Sequence, residues 1–427
     1  MSFSDAAALS LVRASVWPRR TIQRATAVVP LEVRATLRAF VLSRVLIWIA
    51  GGAAFVLIGT SVDAGGVSQS FGSIGNVLAA PAVRWDALWY LKIAGHGYTV
   101  SQEAGFFPLY PLLIRAGSLL VGSAALSGVL ISLVALLVAL EVIRRLTELE
   151  LGGRVAEVTV RLIAFGPMAL FLSAVYTESL FLALSAGTLY AARRGRWQLA
   201  GALGGFAAAS RVGGILLFAP VVILFFYGPR ADALPARTGS GWRPRYRFAP
   251  AALWSLLIPA GAALFAGYLW LSGFGAVGTL SAQQHEFQHQ LVMPWVGLWG
   301  GAEAAFDQLT LALHGVASLS GQSQGILQLG VLIAGFVGLV AIFRRLPLAY
   351  GVYVALDLLM HLSSPTTADP LRGLDRYLSL RFPLFMVLAA WAVERRRERT
   401  LLLAFGALLV FFAAQFATWH WVGSTSI

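Results

Sequence analysis

The chain has 427 residues, 58% hydrophobic and 12% charged, with mean hydropathy +0.76. A soluble domain carries nearer ~25% charged residues, so this composition excludes an ordinary soluble globular protein and points to a polytopic membrane protein. The absence of cysteine excludes disulfides and thiolate metal sites, and the net charge of +13 comes from basic residues between apolar runs, which topology explains better than nucleic-acid binding.

Lys92 is the only lysine, and the chain is rich in Ala, Gly and Arg. That bias hints at a GC-rich bacterial genome. Residues 1–35 read as a basic cytoplasmic arm lying near anionic lipid. They do not read as a cleavable signal, because the apolar stretch 6–17 is short, is broken by Arg13 and is followed by basic residues. Residues 36–427 read as a single transmembrane domain.

A membrane-spanning helix needs ~20 mostly apolar residues. In chain order the candidates are 37–59, 124–143, 158–175, 178–192, 198–210, 212–227, 250–272, 325–343, 347–363, 378–393 and 400–419. The pair 198–210 and 212–227 reads either as two short spans or as one broken helix, and the basic loops flanking the pair favour two crossings. With the N-terminus inside, the positive-inside rule leaves only Arg84, Lys92, Arg115, Arg211, Arg372, Arg376 and Arg381 at the outer side. Arg44 is counted inside, as a residue that snorkels from its span. This places 60–123, 176–178, 273–323 and 364–377 outside the cytoplasm of a plasma-membrane protein.

The first outer loop, 60–123, carries RWDALWYLKIAGHGYTVSQEAGFFPLYPLLIR between Arg84 and Arg115. Trp85, Leu88, Trp89 and Lys92 recur at helical spacing, and Asp86, Tyr90 and Ile93 share the adjacent stripe. Residues 84–95 and 107–121 are expected as interfacial helices, the first ended by Gly95 and Gly97 and the second opened by Pro108. Asp86 stands among Trp85, Trp89, Tyr90 and the other rings of this loop. A carboxylate there suits general-base chemistry on a sugar hydroxyl. The bland alternative is pairing with Arg84 or Lys92.

Four further groups are candidates. YTES at 176–179 sets Tyr176 and Glu178 at the outer end of a span, where Glu178 is otherwise a turn carboxylate. Arg211 in ASRVGG lies at a helix break, where a guanidinium can hold a phosphate bidentately; otherwise it bonds helix-end carbonyls. Arg376 and Arg381 in LDRYLSLRFPLF can clamp a phosphate headgroup or simply anchor an interface. HEFQH at 285–289 is formally H-E-x-x-H, with Glu303 or His314 as a third ligand. Its glutamine-rich flanks argue against a zinc hydrolase and for an acceptor-binding loop containing Gln284, His285 and His289. GALGG reads as helix packing.

WDALWYLKIAGHGY followed by FFPLYP resembles the first luminal loop of PIG-V-type mannosyltransferases. ALFLSAVYTESLF, ASRVGG and RYLSLRFPLF are similar to later segments of that family, in family order, across most of residues 40–390. The resemblance implies an all-helical GT-C fold, which joins the hydropathy reading of about eleven spans plus two interfacial helices, and it implies an outer-face active site, a polyprenyl-phosphate sugar donor (mannose, or another hexose or pentose), inversion at the anomeric carbon and a lipid or glycan acceptor. It implies Asp86 as the essential acid, shaped by Trp85, with Glu178, Arg211 and Arg376 on family positions; Arg84 and Arg381 join the donor-side candidates, and Tyr90 and Tyr176 the site-shaping ones. No cofactor is required, and a divalent metal is compatible without being implied. Where bacterial relatives carry Q-x-x-W-x-R, this chain has Gln284, Phe287 and His289. Bacteria make no GPI anchor, so a bacterial member needs another acceptor. The competing function classes are a flippase for a lipid-linked sugar and the zinc hydrolase.

Overall fold

A computed structural model describes residues 31–59, 72–235, 243–314 and 324–418, and most of the expected N-terminal arm lies outside them. The regular structure of the described residues is helical, apart from an isolated antiparallel bridge between His289 and Thr366. Five helices are long and apolar enough to cross a membrane: Val33–Ile58, Ala124–Leu151, Pro250–Leu271, Gly325–Arg345 and Glu398–Thr418. Shorter apolar helices complete a multi-span membrane protein. Large apolar side chains face outward, among them Leu57, Val337 and Leu403, as a lipid-facing surface requires.

In chain order the helices are α1 (Leu31–Ile58), α2 (Gly72–Ala79), α3 (Asp86–His96), α4 (Leu109–Val121), α5 (Ala124–Leu151), α6 (Gly153–Ala164), α7 (Glu178–Arg193), α8 (Trp197–Ser210), α9 (Phe218–Tyr227), α10 (Leu257–Leu271), α11 (Gly278–His285), α12 (Pro294–Leu313), α13 (Gly325–Arg345), α14 (Leu348–Leu362), α15 (Leu374–Leu378), α16 (Phe382–Glu394) and α17 (Glu398–Thr418). The two expected loop helices are present as α3 and α4. Gly97 ends α3 at φ 78°, a conformation that suits glycine, and Pro108 immediately precedes α4.

One expected span is shorter than read. The segment 158–175 is helical only to Ala164, and Gly166 and Pro167 then turn the chain. The break frees backbone carbonyls inside the bundle, where water cannot satisfy them. Arg44 satisfies two: its guanidinium donates to the carbonyls of Ala164 and Ala169, each at 2.8 Å, and also to the Ser173 hydroxyl. Arg44 is therefore a buried partner of α6 rather than a snorkelling surface cation. Helix α12 has no counterpart among the expected spans.

Helices α8 and α9 are two separate elements that fold back on one another. Trp197 at the start of α8 meets Phe225 near the end of α9, with ring centroids 4.8 Å apart. The turn between them is a short 3-10 segment, Val212–Leu217. A Cβ on Gly214 would lie 2.3 Å from the Ala207 and Ala208 backbone, so only glycine lets the turn close on α8. The GALGG run serves packing as expected, with Gly205 and Gly261 letting α8 and α10 meet backbone to backbone.

Candidate active site

Four charged side chains from four separate segments meet at the end of the bundle formed by the start of α3, the start of α7, the α8–α9 turn and α15. Asp86 is the first residue of α3, and Glu178 the first of α7. Each carboxylate thus sits at a helix N-terminus, where the peptide dipoles favour negative charge. Arg376 bridges them: its Nη1 donates to Asp86 Oδ2 at 2.7 Å, and its Nε donates to Glu178 Oε1. Arg211 approaches the same oxygen, Nη1 to Glu178 Oε1 2.9 Å. Two carboxylates and two guanidiniums balance. Exposure is graded across the cluster: 33% for the Asp86 side chain, 17% for Arg376, 11% for Arg211 and none for Glu178.

Aromatic faces back both guanidiniums. Arg376 lies over Tyr176 at 4.5 Å and Phe171 at 4.9 Å, and Arg211 over Tyr377 at 4.5 Å. Such contacts hold a cation without neutralising it. Tyr176 also donates to the Arg84 carbonyl at 2.9 Å, seating the turn that leads into Asp86. In that turn Trp85 has φ 50°, uncommon for a bulky residue, and its ring meets Phe416 edge-on at 5.2 Å. Tyr90 is buried against Phe106, Tyr110 and Tyr176, with its hydroxyl 3.4 Å from Thr177 Oγ1.

Two arginines read as phosphate ligands are placed otherwise. Arg381 is fully buried, bonded to Asp357 and to the Tyr353 hydroxyl, because α14 presents an acid and a phenol to its side chain. Its Nη2 lies 3.0 Å from where a Gly213 Cβ would stand. Arg381 thus shapes the turn next to Arg211 instead of facing a ligand. Arg84 donates to the Ala417 carbonyl at 2.9 Å and lies over Phe55, toward α1 and α17 rather than the carboxylate cluster.

The HEFQH segment does not form the helix face that zinc ligation by H-E-x-x-H requires. Helix α11 ends at His285, Gln288 turns the chain at φ 57°, and the two histidines take different partners. His285 is exposed, its Nδ1 3.0 Å from the Ser281 carbonyl. His289 Nδ1 is 2.7 Å from the Ser364 carbonyl, and burial lowers the basicity of its ring. Glu303 and His314 are bonded within α12 and its end, to Trp299 and Thr310. Gln284 is exposed. Phe287 packs edge-on against Phe106, centroids 5.8 Å apart, so this segment covers the FFP loop. A cavity of about 250 Å³ lies between α11 and the Ser101–Gly105 turn, lined by Ser101, Ala104, Ser281, His285 and Glu286 among others. Among the described residues no three His, Asp or Glu side chains converge as a metal site. Asp86 and Glu178 are bridged by Arg376.

No local pattern marked the partners that hold these groups, Phe171 and Tyr377 under the guanidiniums and Asp357 and Tyr353 around Arg381, nor the buried Glu103 outside the cluster. Glu103 is buried under α3, where it takes Lys92 at 2.9 Å and the Val100 N–H at 3.0 Å. Burial alone would raise its carboxyl, but the Thr99 and Val100 amides and Lys92 outweigh that and hold it below the ordinary range.

Residues 66–226 match the family described as Mannosyltransferase (PIG-V). This stretch contains Asp86, Glu178 and Arg211, whereas Arg376 lies beyond it. Among curated proteins the chain is 33% identical over 136 residues to GPI mannosyltransferase 2 of Yarrowia lipolytica, a match covering 31% of this chain and 38% of that one. It is 32% identical over 146 residues to GPI alpha-1,6-mannosyltransferase 2 of Rattus norvegicus, covering 31% and 29%. The matches thus span well under half of either relative. Among solved structures, ArnT from Cupriavidus metallidurans bound to undecaprenyl phosphate aligns at TM-score 0.49 and 15% identity, over 85% of this chain and 62% of that one. The oligosaccharyltransferase of Archaeoglobus fulgidus aligns at TM-score 0.40 and 13% identity, over 89% and 54%.

Proposed function

We propose that this chain is an inverting membrane glycosyltransferase that moves mannose from a polyprenyl-phosphate donor to a lipid or glycan acceptor on the extracytoplasmic side. The observation that carries the reading is the convergence of Asp86, Glu178, Arg211 and Arg376. An acid that can take a proton stands beside cations that can take a phosphate. The family match over 66–226 supplies the reaction class. The outer location rests on the positive-inside count, with the N-terminus in the cytoplasm.

In the proposed reaction the acceptor hydroxyl gives its proton to Asp86 as its oxygen attacks the anomeric carbon. The bond from that carbon to the phosphate oxygen breaks on the opposite face, and its electron pair leaves with the polyprenyl phosphate. Arg211 and Arg376 neutralise the growing charge on that oxygen. Arg376 Nη1 donates to Asp86 Oδ2 at 2.7 Å. A donor phosphate competes for the same guanidinium, so donor binding uncovers the base. Loss of a general base costs ~10²–10⁴-fold. Asp86→Asn should therefore reduce transfer from polyprenyl-phosphate mannose by about a thousandfold, with normal amounts of protein in the membrane. Near-normal transfer by that variant sinks the assignment.

A further inference from the structure

We infer that Glu178 is a positioning residue that fastens Arg211 and Arg376 to one carboxylate oxygen and so presents them as a single anion-binding fork. The inference deepens the glycosyltransferase reading and rests on it. Four observations lead there.

First, both guanidiniums reach Glu178 Oε1, Arg376 from α15 by a hydrogen bond from Nε and Arg211 from the α8–α9 turn as an ion pair whose Nη1 makes no hydrogen bond among the described residues. The two arginines are far apart in the chain, and this oxygen is their shared anchor. Second, Glu178 has no exposed surface, whereas Asp86 is one-third exposed. A group so enclosed does not meet an acceptor hydroxyl; it acts through its neighbours. Third, its other oxygen, Oε2, is buried without a hydrogen-bond partner among the described residues. The carboxylate is thus held from one side by the two cations, and its second oxygen gives it no other tether. Fourth, apart from the Asp86 contact of Arg376 Nη1, the cations' remaining contacts are ring faces, Tyr377 for Arg211 and Tyr176 and Phe171 for Arg376. Ring faces fix the plane of a guanidinium but leave it free to slide. Glu178 removes that freedom, so the edges turned away from it stay at a set spacing for phosphate oxygens.

The test uses the full-length protein in detergent with two readouts. One is the Kd for undecaprenyl phosphate. The other is the rate at which phenylglyoxal modifies each arginine, read by peptide mass spectrometry. Arg381, enclosed by Asp357 and Tyr353, is the internal control for general loosening. In Glu178→Gln we expect the Kd to rise about tenfold, the effect of one lost charge-assisted contact. Modification at Arg211 and Arg376 should rise about fivefold, on the scale of a local opening, with Arg381 unchanged. Glu178→Asp, which keeps the charge, should recover most of both.

Unchanged modification at Arg211 and Arg376, or a parallel rise at Arg381, overturns the inference. If Glu178→Gln does not fold, the double variant Glu178→Gln with Arg211→Gln restores charge balance; faster modification of Arg376 in it supports the inference, and an unchanged rate overturns it. If the wild-type protein binds no undecaprenyl phosphate, the glycosyltransferase reading fails, and the modification rates alone decide whether Glu178 positions the two arginines.

Discussion

The two ends of the bundle each bury ion pairs, but they complete them differently. At the end holding the last turns of α5 and α7, Arg193 pairs with Glu150, which also accepts the Tyr350 hydroxyl at 2.8 Å, while Arg193 Nη1 donates to the Pro229 carbonyl at 2.8 Å. Nearby surface pairs join Arg345 to Glu394 and Arg154 to Glu398. No buried polar atom of Arg193, Glu150 or Tyr350 is left without a partner. At the other end Glu178 keeps an unpartnered oxygen, Asp86 is partly open, and ring faces stand where acceptors would complete the arginines. Closed networks hold structure together; a cluster short of partners is suited to receive a ligand.

The sharpest way to break this contrast is to remove an arginine from each end. Arg376→Gln should lower kcat/KM by about a hundredfold or more, since it removes both the proposed phosphate ligand and the bridge between the carboxylates. Arg193→Gln should leave the activity of each folded molecule unchanged. It should instead destabilise the protein by about 3 kcal/mol, because it strands a buried carboxylate. Steady-state kinetics and thermal melts on both variants decide the matter: an Arg193 variant that is stable but inactive would end the distinction.

A smaller effect tests how the turn beneath Arg211 is set. Gly213→Ala places a methyl 3.0 Å from Arg381 Nη2, and Arg381 cannot yield because Asp357 and Tyr353 enclose it. The turn should shift instead. We expect donor KM to rise about fivefold with kcat nearly unchanged, as for lost uniform binding. Kinetics with varied polyprenyl-phosphate mannose would show it, and an unchanged KM would separate Arg381 from the site.

The smallest effect is a pH dependence at Glu103, which sits under α3 but outside the carboxylate cluster. Its folded-state pKa is lowered, so its contribution to stability is present at neutral pH and is lost as pH falls through that lowered value. Thermal melts of wild type and Glu103→Gln should differ most near neutral pH and draw together as pH falls below the ordinary glutamate value of about 4.3. A gap that widens on acidification would contradict the sign.

Much of the site was legible from local chemistry. A carboxylate in an aromatic segment, an arginine before paired glycines and an acid opening a span each stand out without neighbours. The misread span at 158–175 carried its own warning in Gly166 and Pro167, a pair that stops helices. Arg44 and Arg381 carried no such warning. Arg44 depends on carbonyls 120 and 125 residues away, and Arg381 on an acid 24 residues earlier, in α14. An arginine near the end of an apolar run looks alike whether it snorkels, binds phosphate or fills a buried hole.

Sequence by itself determined the membrane character, the positions of most helices and the identity of the four charged residues, because hydropathy, glycine breaks and charge are properties of short stretches. Only the tertiary structure decided which charges meet. It turned Arg376 onto Asp86 and Glu178, brought Arg211 to the same oxygen, and withdrew Arg381 and Arg84 from the cluster. The reason is physical: a charge buried among helices must be matched by whatever group the packing brings within reach, and that partner is set by how distant helices cross, which no local pattern encodes.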